Sequence, residues 1–228
     1  MSDQPRLFEF SMGERSPDTL VVADANRDAA RLLTDWRAWP GGALALIGPK
    51  GSGKTHLALA WAMEAGARQL APDTAADAAA EVFREADRRV LIENAEQADE
   101  AMLWRLLDMA RSGGGAVLLT SAKAPAEWGA KLPDLRSRLA ALPVARLKEP
   151  AEALMDVVLR RICREQFIQL SDDAAQYLVR RLPRTFAAAQ AWAAALDAEL
   201  VRGAKPVSLA IAKKALARME AARVGEDG

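Results

Sequence analysis

The apolar run Ala43, Leu44, Ala45, Leu46, Ile47 leads without a break into residues 48–55, Gly-Pro-Lys-Gly-Ser-Gly-Lys-Thr. A buried strand, a glycine-rich turn and the amphipathic stretch 56–64 that follows predict one local arrangement, strand–loop–helix. Residues 48–55 fit Gly-x-x-x-x-Gly-Lys-[Ser/Thr] at every fixed position. Glycines at 48, 51 and 53 let backbone N–H groups close around phosphate oxygens while the helix aims its positive end at them. Lys54 brings a mobile point charge for the β and γ phosphates, and the Thr55 hydroxyl is an Mg²⁺ ligand. The bland alternative is a glycine-rich turn with no ligand, and the flanking strand and helix favour the phosphate loop. Gly48, Pro49, Lys50, Gly51, Ser52, Gly53, Lys54 and Thr55 are the candidate nucleotide contacts. His56 adjoins them and reads as packed or hydrogen-bonded rather than catalytic.

Further along, residues 29–39 carry apolar positions at helical spacing and stop before Pro40-Gly41-Gly42. Val90, Leu91 and Ile92 form a second strand candidate ending in Glu93, and residues 116–120 a third after the flexible Gly113-Gly114-Gly115 turn. Residues 98–110 read as a helix with Met102, Leu106 and Met109 on one stripe. A weaker strand runs over 144–147. Strands alternating with helices predict a parallel sheet covered on both faces. After Lys148-Glu149-Pro150 the chain turns alanine-rich and strand-poor. Helices are predicted over 151–166, 172–182, 183–202 and 208–223, opened by Pro150, Ser171 with Asp172, Pro183 and Ser208.

At 228 residues the chain suits one medium domain and a small one. Thirty-one basic residues against 31 acidic ones leave no global basic field, which disfavours direct, sequence-specific DNA binding. A single cysteine, Cys163, excludes an internal disulfide and suits a reducing cytosol. The N-terminus has no signal-peptide pattern and no apolar run of about 18 residues occurs, so a soluble cytoplasmic protein is expected, with no membrane partner. The tryptophans are scattered rather than set as a stacking platform and read as core and interface anchors.

These residues resemble the AAA+ ATPases of the DnaA initiator branch, and among them the short Hda-type regulators of DnaA. Val21, Val22 and Asn26 resemble the box that meets the adenine, Gly-Lys-Thr-His-Leu at 53–57 the usual continuation of the loop, and Leu118-Leu119-Thr120-Ser121 the sensor 1 strand. Leu135-Arg136-Ser137-Arg138-Leu139 resembles box VII, which makes Arg138 the arginine finger, and Pro183-Arg184-Thr185-Phe186 sits where the family carries its sensor 2 arginine, Arg184. The resemblance implies an α/β AAA+ P-loop fold: a parallel five-stranded sheet with helices on both faces, followed by a small all-helical lid. The implied domains are an extended tail over 1–15, a nucleotide-binding domain over 16–148 and a lid over 149–228. The physical demands agree for Arg138, since a charge that completes a neighbour's ATPase site must be permanently cationic and near a helix end. The alternative for each arginine is a solvated surface charge.

The acidic motif departs from the family pattern. AAA+ enzymes usually end this strand with two carboxylates, one for Mg²⁺ through water and one to polarise the attacking water. Here the pair is Glu93 and Asn94. Glu93 is still able to hold the metal shell, but Asn94 is a poor general base, so weak or absent intrinsic hydrolysis with nucleotide binding retained is expected. Glu96 is expected to point elsewhere.

Gln4-Pro5-Arg6-Leu7-Phe8 resembles the Gln-x-x-Leu-Phe peptide that docks bacterial replication proteins on the polymerase sliding clamp, the β subunit. Pro5 holds Gln4 extended, and Leu7 and Phe8 present adjacent apolar anchors. The resemblance thus implies ATP or ADP with Mg²⁺, the clamp and DnaA as partners, and DnaA-bound ATP hydrolysed in trans through Arg138. A full initiator would continue into a helix-turn-helix domain, which is not expected here. Two readings stay open: a nucleotide-dependent adaptor without stimulated hydrolysis and, more remotely, a small-metabolite kinase. A homodimer hiding Arg138 is a further expectation, and the working nucleotide is left open.

Overall fold

The computed structural model describes residues 26–149, 152–197 and 206–226. Gln4, Leu7, Phe8, Val21, Val22 and Pro150, singled out above, lie outside them. The chain divides into two compact units between Lys148 and Glu149.

The first unit is built on five parallel strands: β1 (Ala43–Ile47), β2 (Arg68–Leu70), β3 (Arg89–Ile92), β4 (Ala116–Ser121) and β5 (Val144–Arg146), in the order β2-β3-β4-β1-β5. β1 lies between β4 and β5, with Ala45 opposite both Leu119 and Val144. Every residue of β1 and β4 is buried, as expected of strands with both faces covered. The strand period of 2 then sorts the core into two layers. Leu44, Leu46, Leu91 and Leu118 pack with α1 (Arg27–Thr34) and α2 (Lys54–Ala65), whereas Ala43, Val90, Ile92, Val117 and Leu119 pack with α3 (Ala76–Glu85), α4 (Glu100–Gly113) and α5 (Pro133–Ala141).

Three local expectations change. α1 ends at Thr34 and a 3-10 turn takes Trp36–Ala38, because the Trp39 indole N–H reaches back 2.7 Å to the Leu32 carbonyl and satisfies the helix end. β2 has no signature in the sequence: of its three residues only Leu70 is buried, and Arg68 and Gln69 face solvent at the sheet edge. Gly113-Gly114-Gly115 is a tight fit rather than a flexible turn. α4 runs to Gly113, and Gly115 has φ +139° with Phe83 Cζ only 2.7 Å and Arg88 Cβ 2.8 Å from where a Cβ would stand. Only glycine meets both demands. On α4, Met102 and Leu106 are buried as expected and Met109 is half-buried.

The second unit is helical: α6 (Glu152–Glu165), α7 (Asp172–Arg181), α8 (Phe186–Asp197) and α9 (Leu209–Glu226). Trp192, fully buried, donates its indole N–H to the Ala212 carbonyl at 3.3 Å, tying α8 to α9. Ser171 caps α7, its hydroxyl accepting from the Ala174 N–H at 3.3 Å. Pro183 does not open α8. The Thr185 hydroxyl accepts from the Ala188 N–H at 3.1 Å and starts the helix at Phe186, leaving Arg184 in the connection before it. Among the described residues no helix is long and apolar enough to cross a membrane.

Candidate functional site

Residues 48–53 connect β1 to α2 at the carboxyl edge of the sheet, where β1 emerges between β4 and β5. Strand order departs from chain order there, the place where open α/β sheets generally take their ligands. Gly51 and Gly53 take φ +81° and +94°, conformations that would strain other residues. Gly48 is required by packing instead: a Cβ there would stand 2.8 Å from both the Leu147 carbonyl and the Ser52 hydroxyl. The loop is therefore held close against the end of β5, with the Gly48 N–H donating to the Ser121 carbonyl at 3.3 Å.

Within this loop two polar side chains stand out. Ser52 is only 5% exposed, and its buried Oγ has no partner. Lys54 bends back over its own loop and donates to the Gly48 carbonyl at 2.7 Å and the Pro49 carbonyl at 2.9 Å. Burial lowers the pKa of Lys54 from its ordinary value, and the carboxylates of Glu96 and then Glu93 act against that shift. Thr55 is exposed on the first turn of α2, and His56 is half-buried one residue on. Lys50 is exposed at the rim.

Two strand ends face this loop. Glu93 follows β3 and accepts from the Gln69 side-chain amide at 3.2 Å. Asn94 is exposed and left-handed, with φ 52°, and its backbone N–H donates to the Thr120 hydroxyl at 3.2 Å. That kink feeds a 3-10 turn, Ala95–Gln97, which returns Glu96 toward the end of β4. The Glu96 Oε1 accepts from the Ala122 N–H at 3.4 Å, and its Oε2 is buried without a partner. The expectation that Glu96 points elsewhere is corrected: a single left-handed residue reverses the chain and aims it back, and its charge acts on Lys54 ahead of that of Glu93.

Arg138 stands in the last turn of α5, partly buried, with its guanidinium donating to Asp108 on α4 at 2.8 Å and lying 5.6 Å from the Trp104 ring centroid. In the helical unit, Arg184 donates to Glu152 on α6 at 2.6 Å, and both side chains are about half exposed. Asn26 is buried at the start of α1. Gln69 and Asp108 are neighbours of the candidate residues that the sequence did not single out, and Glu96 was singled out only to be set aside. Only Glu96 had a local signal, an acidic residue three positions past Glu93.

The likeness of the whole fold to solved structures is strong. Domain III of the replication initiation protein DnaA from Thermotoga maritima superposes with a TM-score of 0.69 at 17% identity, covering 91% of this chain and 96% of that one. The fold is a DnaA-like AAA+ fold. Its five-stranded parallel sheet and helical lid are as expected from the sequence. AMPPCP-bound DnaA from Aquifex aeolicus has a TM-score of 0.66 at 14% identity over 92% of this chain and 69% of that chain. The Thermotoga maritima RuvB Holliday junction branch migration motor, another AAA+ protein, scores 0.66 at 16% identity over 85% of this chain and 66% of that chain. At such identities the likeness concerns the fold. An uncharacterized protein of Haemophilus influenzae is 30% identical over 154 residues, 60% of this chain, and the chain spans 65% of that curated relative's length. No protein-family model matches the chain.

Proposed function

We propose that this AAA+ chain binds ATP or ADP with Mg²⁺ and regulates replication initiation as Hda-type proteins do, by stimulating hydrolysis of ATP bound to DnaA. The observation that carries the nucleotide reading is the loop itself: Gly48 to Thr55 at the carboxyl end of β1, with the Ser52 Oγ buried and unpartnered and Lys54 held on two neutral carbonyls. Phosphate oxygens fit this donor set. A charged phosphate is a stronger partner for Lys54 than a carbonyl, and the N–H groups at the start of α2 point outward toward an anion. Thr55 and Glu93 would supply the protein's oxygen donors to Mg²⁺, which would help Lys54 neutralise charge on the phosphates. Val22 is the candidate base contact, His56 and Lys50 flank the loop, and Arg184 is a further candidate nucleotide contact, the working division being the tail 1–15, a nucleotide-binding domain 16–148 and a lid 149–228.

The activator role rests on the DnaA-like fold together with Asn94 in place of a second carboxylate, a poor arrangement for the chain's own turnover. Arg138 is the finger offered to the partner, and Gln4, Leu7 and Phe8 tether the protein to the sliding clamp. A homodimer is the resting form, and the protein works in the cytoplasm without sequence-specific contacts to DNA. One observation favours the second reading, a clamp-bound adaptor without stimulated hydrolysis: Arg138 is engaged in its own chain by Asp108 at 2.8 Å.

The test mixes the protein, DNA-loaded clamp and ATP-loaded DnaA and follows ADP. Stimulated hydrolysis that vanishes with Arg138→Ala is expected. Clamp binding without stimulation favours the adaptor, and a Lys54→Ala variant that keeps full nucleotide affinity ends the nucleotide reading.

A further inference from the structure

Four polar groups stand at or just beyond the carboxyl ends of β3 and β4: Glu93, Asn94, Glu96 and Thr120. Three of them are otherwise engaged or chemically unsuited to accept a proton. Glu93 is the proposed Mg²⁺ donor and takes an exposed hydrogen bond from the Gln69 amide at 3.2 Å, Thr120 takes a hydrogen bond from the Asn94 N–H at 3.2 Å, and the Asn94 side chain is a neutral amide. Glu96 differs from all of them. One of its oxygens is fixed by the Ala122 N–H at 3.4 Å, which orients the carboxylate, while the other is buried and meets no donor. A buried carboxylate oxygen without a donor is a standing penalty, tolerated where a reacting group supplies the hydrogen bond. The Ser52 Oγ, in the phosphate loop, is likewise buried without a partner. Glu96 is also the carboxylate whose charge acts most on Lys54.

We propose that Glu96, not Asn94, is the carboxylate that accepts the proton of the water attacking the γ-phosphate in this chain's own site. The inference rests on the nucleotide reading above. In the step, the water oxygen forms its bond to the γ-phosphorus, and the bridging oxygen keeps the electron pair of the bond that breaks. ADP leaves, and the water's proton passes to the free oxygen of Glu96. The second acidic position of the strand motif has thus moved along the chain, and the left-handed Asn94 is the kink that makes the longer route fit.

The test uses the whole chain under single-turnover conditions, protein in excess over labelled ATP, beside the affinity for a fluorescent ADP with and without Mg²⁺. Glu96→Gln keeps the Oε1 acceptor for Ala122, so a purely structural role predicts no change. Slow hydrolysis by the wild type, lowered about 10²-fold or more in Glu96→Gln with ADP affinity unchanged, is expected. The variant then co-elutes with intact ATP where the wild type carries ADP. Hydrolysis by Glu96→Gln at the wild-type rate overturns the inference. So does binding without any hydrolysis by either protein, which leaves the nucleotide reading standing. Failure of both folded proteins to bind nucleotide removes that reading and the inference with it.

Discussion

The Arg138 guanidinium donates to the Asp108 carboxylate at 2.8 Å across the α4–α5 contact, with the Trp104 ring beneath it. The residue expected to reach into a partner is thereby held in its own chain. The side chains are 23% and 44% exposed, so solvent screens the pair and it is worth about 1 kcal/mol at most. Asp108→Asn is expected to change folding stability by no more than that, and to leave stimulation of the partner equal or raised, by about fivefold at the limit. A loss of stimulation in Asp108→Asn, measured as ADP release from DnaA, would show that the pair orients Arg138 for its role rather than restraining it.

Gly115→Ala tests the close approach of the α4–β4 connection to Arg88. Both the positive φ and the contact with Phe83 oppose a methyl group there. A loss of about 3 kcal/mol or more in urea unfolding is expected, against about 1 kcal/mol for Gly129→Ala, where φ is also positive but nothing lies within 4 Å of the new Cβ. Equal effects at the two sites would mean that backbone strain alone matters.

Glu100 gives the fold a defined acid limb. Its carboxylate accepts from the Lys131 N–H at 2.8 Å and the Leu132 N–H at 3.0 Å, and these hydrogen bonds hold its pKa below the ordinary 4.5. A carboxyl whose folded pKa is depressed adds stability that is full above its unfolded pKa and is lost as pH falls through the folded value. Glu100→Gln should therefore be less stable than the wild type at pH 7, with the difference closing below about pH 4.5 in thermal melts. A difference that stays constant with pH would remove the electrostatic account.

Cys163 is buried in α6, and burial pushes its thiol up to about 11. Ellman's reagent is expected to label it only on unfolding, at a rate set by opening of the helical unit. Rapid labelling of the native protein near neutral pH would contradict the packing of α6.

The glycine-rich loop, β1, β3, β4 and the helices of the second unit could be read from the sequence because each is written in neighbouring residues: an apolar run, a glycine spacing, a helical period. Lys54 and the Gly51 and Gly53 turn needed nothing beyond the motif. β2 escaped because an edge strand of three residues with one buried side chain carries no pattern. The partners of the site are of another kind. Gln69 meets Glu93 across 24 positions, Ala122 meets Glu96 across 26 and Asp108 meets Arg138 across 30. Such pairs depend on which strand lies beside which, and the order β2-β3-β4-β1-β5 is a property of the packed sheet that local propensities do not encode. The loop was legible because neighbouring residues write it, whereas only the tertiary structure decided that the charge of Glu96 acts on Lys54 ahead of that of Glu93, because the left-handed Asn94 and the 3-10 turn after it set where Glu96 stands.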